Sequence, residues 1–135
     1  MADHVTPERR SFIMSKVKQK NTGPEMVLRI ALHALGYRYR LHRRDLPGSP
    51  DLVFPSRRRV IFVHGCFWHG HGCRWGKAPK SRTDYWLPKI KANKERDNRA
   101  LTQLAENGWE AMVVWQCELR DPEPTIERVV AFLNG

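Results

Sequence analysis

Val60-Ile61-Phe62-Val63 is an unbroken run of β-branched and aromatic residues, as expected of a strand buried on both faces. It runs directly into His64-Gly65-Cys66-Phe67-Trp68-His69-Gly70-His71-Gly72-Cys73. Residues 65–83 are rich in glycine, histidine, cysteine and basic groups and have no hydrophobic period, which marks a functional or metal-ordered loop. A fold for this chain must therefore carry an irregular, chemistry-bearing loop on the end of a buried strand.

Helix signals flank that strand. Thr6-Pro7-Glu8 combines a capping hydroxyl, a proline where no amide hydrogen is needed and an acid favoured by the helix dipole, so a short basic helix carrying Met14 and Val17 is expected there. Gly23-Pro24-Glu25 repeats the signal, and Leu28, Ala31, Leu32 and Leu35 then recur at helical spacing up to Gly36. Tyr37, Tyr39 and Leu41 alternate with Arg38, Arg40 and His42, the period of a half-exposed strand with one basic face. A loop over 45–50 leads to a short strand at Asp51-Leu52-Val53-Phe54, and Pro55-Ser56-Arg57-Arg58 reads as a turn. A long helix is expected from about Asp84 to Glu106, with Pro88 early in it and Asn107-Gly108 ending it. Trp109 to Trp115 is the last strand and Pro122 to Leu133 a final helix. Helix, helix, three strands, long helix, strand, helix is the order of an α/β fold, a mixed central sheet flanked by helices.

The 135 residues suit one domain, with 1–20 as a basic N-terminal segment that contacts DNA and 21–135 as the core. Formal net charge is +10, and residues 1–99 hold 22 of the 24 Lys and Arg but 8 of the 14 acidic residues. A body this basic favours a polyanion, because each phosphate neutralised by Lys or Arg releases condensed counterions. No apolar run approaches the roughly 18 residues that span a bilayer, and an export signal is not evident, so the chain is expected to be soluble and cytoplasmic. Three cysteines then point to metal binding before a disulfide framework.

Cys66, His71 and Cys73 fall within eight residues, and Cys117 sits where the last strand ends. Together they form the Cys3His set that suits a closed, structural zinc site. His64 and His69 stand outside it, either as alternative ligands or as acid/base groups. Asp51 opens one strand and Val63-His64 closes the next, so a hairpin would bring a carboxylate, a backbone carbonyl and an imidazole together. That is a layout for a magnesium nuclease, since magnesium takes oxygen ligands and keeps several waters. Taken singly, Asp51 suits a turn, Glu25 suits a helix start, and Asp97 in Lys94-Glu95-Arg96-Asp97 suits a solvated helical face.

Pro50-Asp51, Val60 to Cys73, Arg82-Thr83-Asp84-Tyr85-Trp86, Glu95-Arg96-Asp97 and Gly108-Trp109 through Val114-Trp115-Gln116-Cys117-Glu118 closely resemble, in order, the very short patch repair (Vsr) DNA mismatch endonucleases. The resemblance covers nearly the whole chain. It implies a restriction-endonuclease-like core and a nick in one strand, 5′ to the thymine of a T:G mismatch left by deamination of 5-methylcytosine. It also implies that Asp51 and the Val63 carbonyl bind catalytic magnesium, that His69 is the general base oriented by Asp97, that His64 stabilises the scissile phosphate and that Glu25 supports the site through water. Cys66, His71, Cys73 and Cys117 would hold structural zinc. Phe67, Trp68 and Trp86 would be wedged into the base stack, with Met14 entering from the opposite groove. Such wedges cost less unstacking at a mismatch, which turns a weakened step into selectivity.

The chain departs from the familiar pattern in three places: Val63 replaces a hydroxyl residue, Gly70 and Gly72 thin a His-rich run, and the C-terminus is short. Duplex DNA with a T:G pair is the expected partner, with mismatch-repair proteins as further ones, and a single nick suits a monomer. The alternatives are a restriction-type or structure-specific nuclease of the same fold, and a zinc-stabilised DNA-binding module without catalysis.

Overall fold

The computed structural model describes residues 23–66, 71 and 83–135. Helix α1 spans Pro24–Ala34, with proline in its first turn and Glu25 at its positive end. Strands β1 (Arg40–Leu41), β2 (Leu52–Phe54), β3 (Arg59–His64) and β4 (Glu110–Trp115) form one sheet in the order β1-β2-β3-β4. The first two pairings are antiparallel and β3 with β4 is parallel. A parallel pair needs a long crossover, and helix α2, Thr83–Glu106, lies in that connection. Helix α3, Pro122–Asn134, follows a 3-10 turn at Gln116–Arg120. Among the described residues the result is the expected mixed α/β architecture, a four-stranded mixed sheet with three helices.

Alternation along the strands divides the core in two. Leu52, Phe54, Ile61 and Val114 face α1 and α3, where they pack with Leu28, Ala31, Leu32, Ile126, Val129 and Leu133. Val53, Val60 and Phe62 face the other way and pack with Leu104 of α2. Residues 60–62 of β3 are buried, as a strand covered on both faces requires. Truncating a fully buried leucine such as Leu32 to alanine should cost about 2–5 kcal/mol.

The strand expected over 37–42 is shorter than its alternation suggests. Tyr37 is buried and Arg38 and Arg40 are exposed, as expected, yet ladder partners exist only for Arg40 and Leu41. Tyr37 and Tyr39 instead spend their hydroxyls on Asn134 and on the Arg29 carbonyl, at 3.0 Å each. Pro88 lies inside α2 rather than in its first turn, so that helix gives up one internal hydrogen bond. The helix expected around Thr6 to Val17 lies outside the described residues. Among the described residues, no helix is long and apolar enough to cross a membrane.

The turn joining β2 to β3 clamps this framework at one end. Arg57 donates to the Leu133 carbonyl of α3 at 3.0 Å and covers the Tyr37 ring. Arg58 donates to the carbonyls of Asn107 and Gly108 at 2.8 and 3.3 Å and lies over Trp109. Arg59 pairs with Glu110 at 2.9 Å. Cations placed on terminal helix carbonyls complement the helix dipole.

Candidate functional site

Chemistry collects at the opposite end of the sheet, beyond the carboxyl ends of the parallel strands β3 and β4. That edge is where open α/β sheets bind ligands. His42 follows β1, Asp51 precedes β2, Val63 and His64 end β3, and Trp115 ends β4. Glu25 reaches the same end from the start of α1.

The Asp51 carboxylate is anchored by the strand beside it: the Val63 N–H donates to its Oδ2 at 2.6 Å. The strand ends thus bring Asp51 to Val63 through its N–H, whereas the expectation concerned the Val63 carbonyl. His42 stands between the two acids, with Nε2 3.0 Å from Glu25 Oε2 and Nδ1 3.5 Å from Asp51 Oδ1. Arg29, one helical turn on, lies 3.6 Å from the same Glu25 oxygen. One ligand atom each from Glu25, His42 and Asp51 fall within 4.8 Å of one another, close enough to hold one metal ion.

The backbone leading to Asp51 is unusual. His42 and Ser49 have φ of 49° and 50°, and Gly48 has 78°, a left-handed region that costs most residues energy and clusters at functional sites. Gly48 is needed for a second reason: a Cβ there would sit 2.7 Å from the Ala100 Cβ and 3.0 Å from the Phe62 ring. The loop is thus pressed against α2 at the mouth of the site.

Beneath that loop is a cavity of about 290 Å³, lined in part by Ser49, His64, Arg96 and Asp97. His64 is nearly enclosed, and its ring meets the Trp115 ring edge-on at 5.3 Å. Its Nδ1 faces Asp97 Oδ2 at 3.9 Å. Asp97 is no member of a solvated face: Ile90, Ala100 and Leu104 are the buried stripe of α2, and 97 falls on it at helical spacing. That periodicity is a signal in the residues themselves, independent of the resemblance that named Asp97 as a site residue.

Cys66, His71 and Cys117 make a second cluster, again within 4.8 Å. Cys117 Sγ is 3.5 Å from His71 Nδ1, and the Cys117 N–H points at Cys66 Sγ at 3.4 Å. The 3-10 turn presenting Cys117 is fixed by Glu118, which accepts from the Trp115 N–H at 2.8 Å and pairs with Arg128. His71 stacks on Trp115, with centroids 4.2 Å apart and planes 11° from parallel. One aromatic side chain thus supports both His64 at the cavity and His71 of the cysteine cluster.

Trp86 is half-buried on α2 and meets Tyr85 edge-on at 4.7 Å. Tyr85 and Leu87 beside it are exposed large apolar residues. Met14, Phe67, Trp68, His69 and Cys73 lie outside the described residues. His42 is the site residue that the sequence did not suggest, because it reads there as one more basic position of an alternating strand.

The family model for the DNA mismatch endonuclease Vsr matches residues 2–75, more than half of the chain. A type II nicking enzyme of Xanthomonas oryzae pv. oryzae, V.XorIIP, is 64% identical over 121 residues, which cover 90% of this chain and 89% of that one. A nicking enzyme of Neisseria meningitidis, V.NmeAIP, is 44% identical over 129 residues, 96% of this chain and 92% of the other. The DNA mismatch endonuclease Vsr of Escherichia coli K12 is 43% identical over 123 residues, 91% of this chain and 79% of the other. With its carboxylate and cysteine clusters at the ends of the parallel strands, and with relatives aligned along nearly all of it, the chain belongs to the DNA mismatch endonuclease Vsr family and is a DNA endonuclease.

Proposed function

We propose that this protein nicks one strand of duplex DNA 5′ to the thymine of a T:G mismatch produced by deamination of 5-methylcytosine. The observation that carries this reading is the placement of Asp51 against Val63 and beside Glu25, at the strand ends, in a chain 43% identical to a mismatch endonuclease. The core is of the restriction-endonuclease-like kind, which places a metal-binding acid at such a strand end.

Asp51, with the Val63 carbonyl, would hold magnesium, and Glu25 would support the same site through water. The fit is chemical: carboxylate and carbonyl oxygens are the donors that magnesium prefers. When bound, magnesium supplies positive charge for the phosphate oxygens and for the leaving oxygen. His64, enclosed between Phe62 and Trp115, stabilises the scissile phosphate. His69 takes the proton from the attacking water, and Asp97 orients it from the cavity wall.

Cys66, His71, Cys73 and Cys117 would hold zinc as a structural ion. Tetrahedral zinc with bonds of about 2.3 Å to sulfur and 2.0 Å to nitrogen sets those ligands about 3.5 Å apart, and Cys117 and His71 stand 3.5 Å apart. Fixing that loop fixes Phe67 and Trp68, which enter the base stack together with Trp86 while Met14 enters from the other groove. Exposed Tyr85 and Leu87 next to Trp86 give α2 the apolar surface such a wedge needs. Residues 1–20 form a basic arm on the DNA, and the enzyme works as a monomer.

Strand-resolved cleavage of labelled duplexes differing only at one T:G pair, with magnesium present or chelated, tests the proposal. A nick confined to the thymine strand of the mismatched duplex, lost on chelation, is expected. Equal cutting of the perfectly paired duplex would rule out mismatch specificity.

A further inference from the structure

We propose that Glu25 can reach the Asp51 cation directly as well as through water, and that His42 is a further protein ligand there which biases the site toward a first-row transition ion over magnesium. The proposal rests on the reading that Asp51 binds the catalytic cation.

His42 is held where a ligand must be. Its N–H donates to the Asp51 carbonyl at 3.0 Å, extending the β1–β2 ladder by one residue. Its φ of 49° turns the chain so that the imidazole lies between two carboxylates. Histidine is among the residues that tolerate this region. The ring is about half exposed, so it can pivot to offer either nitrogen.

The geometry suits ligation, since each imidazole nitrogen lies beside a carboxylate oxygen, Nε2 by Glu25 and Nδ1 by Asp51. A cation among the three groups would be bound by one ring nitrogen and by carboxylate oxygens. Octahedral ligands about 2.1 Å from a metal lie about 3 Å apart when adjacent and about 4.2 Å apart when opposite. The 3.0 Å from Nε2 to Glu25 matches an edge, and the 4.8 Å limit on the cluster leaves little rearrangement for the rest.

Ligand type sets the preference. Magnesium favours oxygen and keeps its waters, whereas imidazole suits transition ions. Two carboxylates alone serve either. Adding one imidazole separates them.

Manganese is the suitable probe, because it is paramagnetic and competes poorly with zinc for thiolates. In the zinc-loaded full chain without DNA, Mn²⁺ binding is followed by electron paramagnetic resonance and Mg²⁺ binding by competition. The wild type should bind Mn²⁺ about tenfold more tightly than Mg²⁺, and His42→Asn should lose about tenfold in Mn²⁺ affinity while Mg²⁺ affinity shifts less than about twofold. Pulsed resonance of bound Mn²⁺ should show a directly ligated nitrogen in the wild type and none in His42→Asn, with thermal unfolding confirming that the variant is folded. Unchanged Mn²⁺ affinity in His42→Asn, or a nitrogen signal that persists there, overturns the proposal. Asp51→Asn separates the two readings. Cation binding that survives Asp51→Asn removes Asp51 from the site altogether, whereas binding lost in Asp51→Asn but untouched in His42→Asn removes His42 alone.

Discussion

Both ends of the sheet are crowded with charged side chains, and they use them in opposite ways. At the β2–β3 turn, Arg57, Arg58 and Arg59 meet helix-terminal carbonyls, Glu110 and aromatic faces. Each cation there has an acceptor or a ring, and the turn gains stability from being charged. At the other end, Glu25 and Asp51 share one histidine, Asp97 faces another, and the chain between them adopts left-handed conformations at His42, Gly48 and Ser49. Like charges brought together on strained backbone lower stability unless a ligand repays them. The basic run Arg57-Arg58-Arg59 is therefore architecture, while Glu25, Asp51 and Asp97 gather where the chemistry is.

Substitutions at the two ends should separate stability from activity. The largest effect is expected for Asp51→Asn, whose nicking rate should fall by about 10³-fold or more. Folding should hardly suffer, because the Asn amide oxygen can still accept from the Val63 N–H, and weakening that bond by about 1 kcal/mol is offset by relief of repulsion with Glu25. Single-turnover cleavage together with urea unfolding checks both halves.

Gly48→Ala should cost about 2–3 kcal/mol, since it combines a left-handed φ with a Cβ driven onto Ala100. Ala100→Gly in the same chain should recover the part due to the clash but leave the backbone part, which a double-mutant cycle resolves. At the structural end, Arg58→Ala should lower stability by about 1–2 kcal/mol through loss of the α2 cap and the contact with Trp109. The smallest effect is expected for Arg59→Gln. Its pair with Glu110 is partly exposed, so stability should change by less than about 1 kcal/mol, and the slope of DNA affinity against salt should stay the same, since its guanidinium is engaged by Glu110. A shallower slope would place that turn on the DNA.

How far the sequence disclosed this arrangement depends on how local each signal is. Helix α1 was legible from Pro24, Glu25 and the spacing of Leu28, Ala31 and Leu32, and β3 from four apolar residues in a row. The cluster of Cys66, His71 and Cys117 was legible because cysteine and histidine have few other reasons to gather, although Cys117 arrives from 46 residues beyond His71. Asp97 read singly as part of a solvated face and entered the site only through the resemblance, since its neighbours in sequence are charged while its neighbours in space belong to the buried stripe of α2. His42 was hidden because alternation predicts which face a side chain takes only while the strand lasts, and β1 ends one residue earlier. The job of Arg58 rests on carbonyls 49 and 50 residues away, which no local pattern records.

Asp51→Asn and Arg58→Ala measured side by side, for nicking of one T:G duplex and for thermal unfolding, test the division between the two ends most directly. The expected result is crossed: Asp51→Asn loses nicking and keeps its melting temperature, while Arg58→Ala melts several degrees lower, as about 1–2 kcal/mol implies for a domain this size, and nicks at the wild-type rate at a temperature where it is folded. Nicking that persists in Asp51→Asn, or that disappears in folded Arg58→Ala, would contradict it.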